Sequence, residues 1–95
     1  MSKQRFTYHS DGGHGWLQVD TNDLVRAGLS VQSFSQYSYQ SDDMDVNGVR
    51  QFFLEEDRDA GIFMDAFVKV NSVQPDIKDA AVEGESLIRN LERIL

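Results

Sequence analysis

The chain has no cysteine, which excludes disulfides, zinc–thiolate sites and thiol nucleophiles. No apolar run approaches the roughly 20 residues needed to span a bilayer, so membrane insertion is not expected. Met1 to Arg5 leads straight into a structured pattern, without the apolar segment of a signal peptide. A cytoplasmic protein follows as the expectation. Proline occurs once, at Pro75, and no internal repeat, low-complexity tract or linker interrupts the sequence. At 95 residues the chain makes one domain, near the small end of what holds a single core without covalent staples.

Positive charge is also scarce. Nine basic against 16 acidic residues leave a net charge of -7. The imbalance concentrates in residues 42–59, where Asp42, Asp43, Asp45, Glu55, Glu56, Asp57 and Asp59 face only Arg50 and Arg58. Such a surface repels phosphate backbones, whose affinity for proteins comes mostly from cations that displace counterions. Direct nucleic-acid binding is therefore disfavoured. An acidic face suits a basic protein surface instead, and it raises the association rate.

The secondary-structure pattern predicts an α+β domain. Phe6 and Tyr8 alternate with Thr7 and His9, and Leu17 and Val19 share a face of a second strand. Three glycines between them mark a turn, and the short connection requires an antiparallel hairpin. Residues 21–29 predict a short helix capped by Thr21 or Asn22. Gly28 would end it in the left-handed conformation, with Leu24, Val25 and Leu29 buried. Residues 30–40 predict a third strand of mixed polarity, and Asn47-Gly48 a turn into a fourth, 49–55. That fourth strand has apolar side chains on both faces and belongs in the middle of the sheet. Asp57 or Asp59 would cap a second helix, on which Ala60, Phe63, Ala66, Phe67 and Val70 form one stripe. Gly61, inside its first turn, is a candidate for close packing. Residues 76–84 are assigned as a fifth strand. Leu87, Ile88, Leu91, Ile94 and Leu95 fall on one face of a C-terminal helix, which either completes the core or pairs with a second copy. The expected architecture is a mainly antiparallel sheet of four or five strands, with the 57–70 and C-terminal helices on one face.

Two groups of residues carry candidate chemistry. His9, Asp11 and His14 flank the glycine turn, and two imidazoles with a carboxylate would hold a divalent metal with one position open for water. A small metal-binding protein or metal-dependent hydrolase is the alternative this group supports. The second group is the acidic run with its neighbouring aromatics, Tyr37 and Tyr39, which are hot-spot residue types at protein interfaces. Glu55 and Glu56 point to opposite faces of a strand and do not form a simple acid–base pair. No residue set marks a catalytic centre, and no cofactor is called for.

Three segments also carry a family resemblance: residues 9–19 (HSDGGHGWLQV), 35–40 (SQYSYQ) and 53–60 (FLEEDRDA). In this order they resemble the motifs SDPGHGWLxV, SxYSYQ and YLEEDxDA of small proteins carried by bacteriophages and plasmids. Gly12 stands where that pattern has proline, and Arg58 where it has cysteine. The resemblance implies an accessory protein that binds, and by doing so inhibits, a host defence or nucleic-acid enzyme. It gives no catalytic activity. The composite expectation is a non-enzymatic binding protein that offers Asp42, Asp43, Asp45, Glu55, Glu56, Asp57, Asp59, Tyr37 and Tyr39 to a basic partner, as a nucleic-acid mimic would.

Overall fold

The computed structural model describes residues 5–35, 38–41, 48–81, 88 and 91–93. Its strands are β1 (Arg5–Ser10), β2 (Gly15–Asp20), β3 (Tyr39–Gln40), β4 (Gln51–Glu55), β5 (Asp76–Ala81) and β6 (Glu92–Arg93). Two helices, α1 (Thr21–Arg26) and α2 (Asp59–Asn71), and a 3-10 turn at Val31–Ser33 complete the described elements. The strands form one mixed sheet in the order β5-β1-β2-β4-β3-β6. The α+β class with a mostly antiparallel sheet is therefore as expected.

β1 and β2 form the antiparallel hairpin, with Tyr8 opposite Leu17 and His9 opposite Trp16. β4 lies between β2 and β3, antiparallel to both, as its two apolar faces required. β5 runs parallel to β1. A 13-residue helix stands between β4 and β5, and a helical crossover of this kind returns the chain in the same direction. β1 and β2 are thus inserted between the two parallel strands that α2 connects.

One face of the sheet carries Phe6, Leu17, Val19, Phe52 and Leu54, all buried. Leu24 and Ala27 of α1, Phe34, and Phe63 and Phe67 of α2 close over them as a single core. The Phe6 ring meets Phe63 and Phe67 edge-on at 5.2 and 5.3 Å, the geometry favoured by the aromatic quadrupole. On the other face Trp16, Tyr39 and Ile88 form a smaller cluster, with Phe53 and Leu91 packed against it.

Several local expectations are corrected. α1 is capped by Asp20, not by Thr21 or Asn22. The Asp20 carboxylate accepts from the Asp23 amide at 2.8 Å, and Asp23 accepts in return from the Asp20 amide at 2.9 Å. Thr21 is used elsewhere: its Oγ1 accepts from the Arg50 amide at 3.0 Å, which fastens the helix start to the entry of β4. The far end of α1 follows the expected pattern, with Gly28 at φ +73°. There the Leu29 amide donates to the Leu24 carbonyl and the Gly28 amide to that of Val25, the two bonds of a left-handed helix terminus. Val25 is 70% exposed and Val70 60%, so neither joins the core. A side chain at Gly61 would meet nothing within 4 Å, which removes close packing as its reason.

Among the described residues, the expected long third strand is reduced to Tyr39–Gln40. Upstream of it the Ser33 amide donates to the Ser30 carbonyl at 2.9 Å, and the Ser33 hydroxyl accepts from the Ser30 amide at 3.4 Å, a local side-chain bond that competes with a ladder. At the C-terminus, Glu92–Arg93 pair with Tyr39 and Gln40 as a strand. That overrides the helical periodicity at those two positions; Ile94 and Leu95 lie outside the described residues. So do Asn47 and residues 82–84 of the expected fifth strand, while Gly48 has the positive φ that its turn requires.

Burial raises the pKa of Asp23, and the Asp20 carboxylate adds to the rise against the lowering effect of the Asp20 amide bond. The contribution of this group to stability is therefore full below the unfolded value of 3.8 and is lost as pH rises from there through the folded value. Asp23→Asn keeps an acceptor for the Asp20 amide but carries no charge. Its melting temperature, measured against pH, should equal or exceed that of the parent at neutral pH, with any advantage shrinking as pH falls through the raised folded value and gone below pH 3.8. Asp20→Ala, which removes the cap itself, should cost about 1 kcal/mol.

Candidate functional site

The turn from β4 into α2 disposes its acidic residues in opposite directions. Glu55 is half-buried, and its two carboxylate oxygens accept from the Asp57 amide at 2.8 Å and the Arg58 amide at 3.1 Å. Asp59 is 0% exposed. Its Oδ2 accepts from the amide and the hydroxyl of Ser35, both at 2.8 Å, and from the Ser38 hydroxyl. Its Oδ1 accepts from Arg58 Nη1 at 3.1 Å. The side chain expected at a partner surface is instead part of the interior, held by donors from a segment more than 20 residues away. Asp59 is also the first residue of α2, and no side chain caps that helix at position 58.

Glu56 and Asp57 remain exposed. Glu56 accepts from the Tyr8 hydroxyl at 2.6 Å, and its own amide donates to the Gly15 carbonyl at 3.1 Å. Gly15 is a requirement of this contact. A Cβ there would overlap the hydroxyl and ring of Tyr8, which crosses directly above it. Asp79, on β5, is the register partner of Tyr8. Partial burial raises the Tyr8 pKa well above that of an ordinary phenol, and the Glu56 hydrogen bond and the charges of Glu56, Asp57 and Asp79 raise it further. Three elements thus bring Glu56, Asp57 and Asp79 around one phenol. Neither Tyr8 nor Asp79 stands out in the sequence; the one available signal was the alternation that puts Tyr8 on the same face as Phe6.

The remaining expected site residues separate. Tyr39 is only 8% exposed and stacks edge-on with Trp16 at 6.2 Å, so it belongs to the second cluster rather than to a surface. Tyr37, Asp42, Asp43 and Asp45 lie outside the described residues.

His9 Nε2 is 2.7 Å from Gln18 Oε1, whose amide nitrogen donates to Gln51 at 3.0 Å, forming a polar row across β1, β2 and β4. Asp11 folds back on the hairpin turn and accepts from the Gly13 and His14 amides, both at 2.9 Å. The His14 ring lies 6.2 Å from Trp16. His9, Asp11 and His14 are therefore engaged in three different arrangements. Among the described residues no three histidine or carboxylate side chains converge as metal ligands. Among the same residues, no helix is long and apolar enough to cross a membrane. No family model, curated protein or solved structure matches the chain.

The chain contains three tyrosines. In an absorbance titration of the native protein, Tyr8 should ionise well above the ordinary value of 10.0. Its contribution to stability is full below pH 10.0 and is lost as pH rises beyond it through the higher folded value. Gly15→Ala should push the ring off Glu56 and return one phenol toward ordinary titration. An unchanged titration curve in that variant would show that Tyr8 is not held by this contact.

Proposed function

We propose that the chain is a non-enzymatic binding protein of the phage or mobile-element accessory type, which docks on a basic surface of a host protein and blocks it. The acidic end of the sheet, Glu56, Asp57 and Asp79 around Tyr8, is the docking surface. The observation that carries this reading is their convergence from separate elements: Tyr8 bonds Glu56 at 2.6 Å and sits beside Asp79 in the sheet. Negative charge held at fixed positions on strands and a tight turn loses little freedom on binding. It also attracts a cationic groove before contact. The segment that resembles phage and plasmid proteins, 53–60, contains two of these three acids, which agrees with a function located there.

Isosteric neutralisation tests the surface without disturbing what lies beneath it. In Glu56→Gln the amide oxygen still accepts from Tyr8, while Asp57→Asn and Asp79→Asn remove the other two charges. Immobilised parent protein should retain a partner from bacterial lysate at low salt, and retain less of it as ionic strength rises. The triple variant should lose at least about tenfold in affinity for that purified partner, with a flatter salt dependence. Equal affinity for parent and variant would reject the acidic end as the docking surface.

A further inference from the structure

Of the seven glycines, only Gly12 follows an aspartate. The pair stands at the tip of the β1–β2 hairpin, where Gly12, Gly13 and His14 are exposed and Asp11 is half-buried. A side chain built at Gly12 would meet nothing within 4 Å, so the flank of its amide is open. An aspartate beside an unhindered amide has an intramolecular reaction available, with the proximity that makes such steps fast. The Gly12 nitrogen attacks Asp11 Cγ; a C–N bond forms and a carboxyl C–O bond breaks. The departing oxygen takes the amide proton and one proton from solvent and leaves as water, which closes a succinimide ring. A water molecule then opens the ring at either carbonyl and returns the solvent proton. One opening restores aspartate. The other leaves isoaspartate, with Cβ and Cγ in the main chain and the former backbone carbonyl as a free carboxylate. No oxidant or reductant takes part.

The folded turn opposes this reaction. Asp11 Oδ1 accepts from the amides of Gly13 and His14, both at 2.9 Å, which directs the carboxylate past Gly12. The Asp11 amide in turn donates to the His14 carbonyl at 2.9 Å. Ring closure fixes the ψ angle of Asp11 and takes one oxygen from its carboxyl group, so the turn must let go first. These bonds lie at an exposed loop tip, where local opening costs least. Isoaspartate would lengthen the turn by one carbon beside the Ser10–Gly15 pair that closes the hairpin. Gly15 is the residue over which Tyr8 crosses, so the change would reach the base of that contact.

We propose that Asp11–Gly12 is a spontaneous modification site: an isoaspartyl residue forms there when the hairpin tip opens, and the closed turn holds the reaction back. The site is independent of the acidic docking surface, because its readout is the product itself and needs no partner.

The test keeps the full chain at neutral pH and physiological temperature, in buffer and in parallel in concentrated urea. An isoaspartyl methyltransferase with labelled S-adenosylmethionine counts the free carboxylate, and electron-transfer fragmentation of the tryptic peptide 6–26 places it. Asn47, which precedes Gly48, changes mass on deamidation and falls in a different tryptic peptide, so the two sites separate. The chain in urea should accumulate isoaspartate at position 11 at least about tenfold faster than the folded chain. Gly12→Ala puts a methyl group beside the attacking nitrogen in a space that is open. It should slow the reaction in urea by about tenfold and leave the far-ultraviolet circular dichroism of the folded chain unchanged. Equal rates in buffer and urea overturn the proposal. So does a position 11 free of isoaspartate in urea, or a Gly12→Ala chain that isomerises as fast as the parent.

Discussion

The carboxylate of Asp59 is the interaction on which the rest of the molecule rests. It is fully buried at the head of α2, where two serines and the adjacent guanidinium donate to it. An ionised carboxylate in that position would be costly if unpaired. Here each oxygen has at least one donor, and the positive end of the helix dipole lies alongside. Ser38 extends the arrangement, since its hydroxyl also accepts from the Glu55 amide at 2.9 Å. One side chain therefore joins the 35–38 segment, the end of β4 and the start of α2. The helix that lays Phe63 and Phe67 on Phe6 starts from that anchorage.

The same junction decides how much negative charge reaches solvent. Within the run Glu55 to Asp59, the first and last acids are spent on amides and hydroxyls, and the middle pair points outward. Tyr8 then fixes Glu56 from the neighbouring hairpin, which is possible because Gly15 leaves room for the phenol. A hydrogen bond from a phenol to a carboxylate makes the phenol harder to ionise, and the added charges of Asp57 and Asp79 act in the same direction. The acidic end is thus tied to the sheet at both of its strands, and its geometry is inherited from the core beneath it.

Much of this fold was legible because its signals are local. The glycine-rich hairpin, the two apolar faces of β4, the Phe63–Phe67 stripe and the Gly28 helix terminus each rest on residues a few positions apart. The errors arise where the deciding partner is distant. Ser35 and Ser38 looked like alternate members of a long strand, but their hydroxyls answer to Asp59, more than 20 residues on. Asp59 itself looked like a solvent-facing cap, because an acid at a helix start gives the same sequence pattern whether it is exposed or buried. Asp20 is a different case: Asp20-x-x-Asp23 has the spacing of a reciprocal cap, and the neighbouring Thr21 and Asn22, good caps in isolation, obscured it. Val70 shows the limit of periodicity, since it lies on the apolar stripe and is still 60% exposed.

The distribution of charge in this small domain is therefore set by packing more than by composition. A net charge of -7 would describe a uniformly acidic surface only if every acid were exposed. Asp59 is enclosed, Asp23 is nearly so, and Glu55 bonds the backbone of its own turn. Arg58 does little to offset the two acids beside it: although its side chain is 60% exposed, its guanidinium bonds the buried Asp59 at 3.1 Å. The positive charge within the run is drawn inward, while Glu56 and Asp57 are left facing solvent. Converting Arg58 to a neutral residue would thus remove a partner of the interior carboxylate more than it would add to the outer field. The arrangement keeps the field at the turn negative without requiring a long unbroken acidic sequence, and it does so with the same contacts that seat the helix.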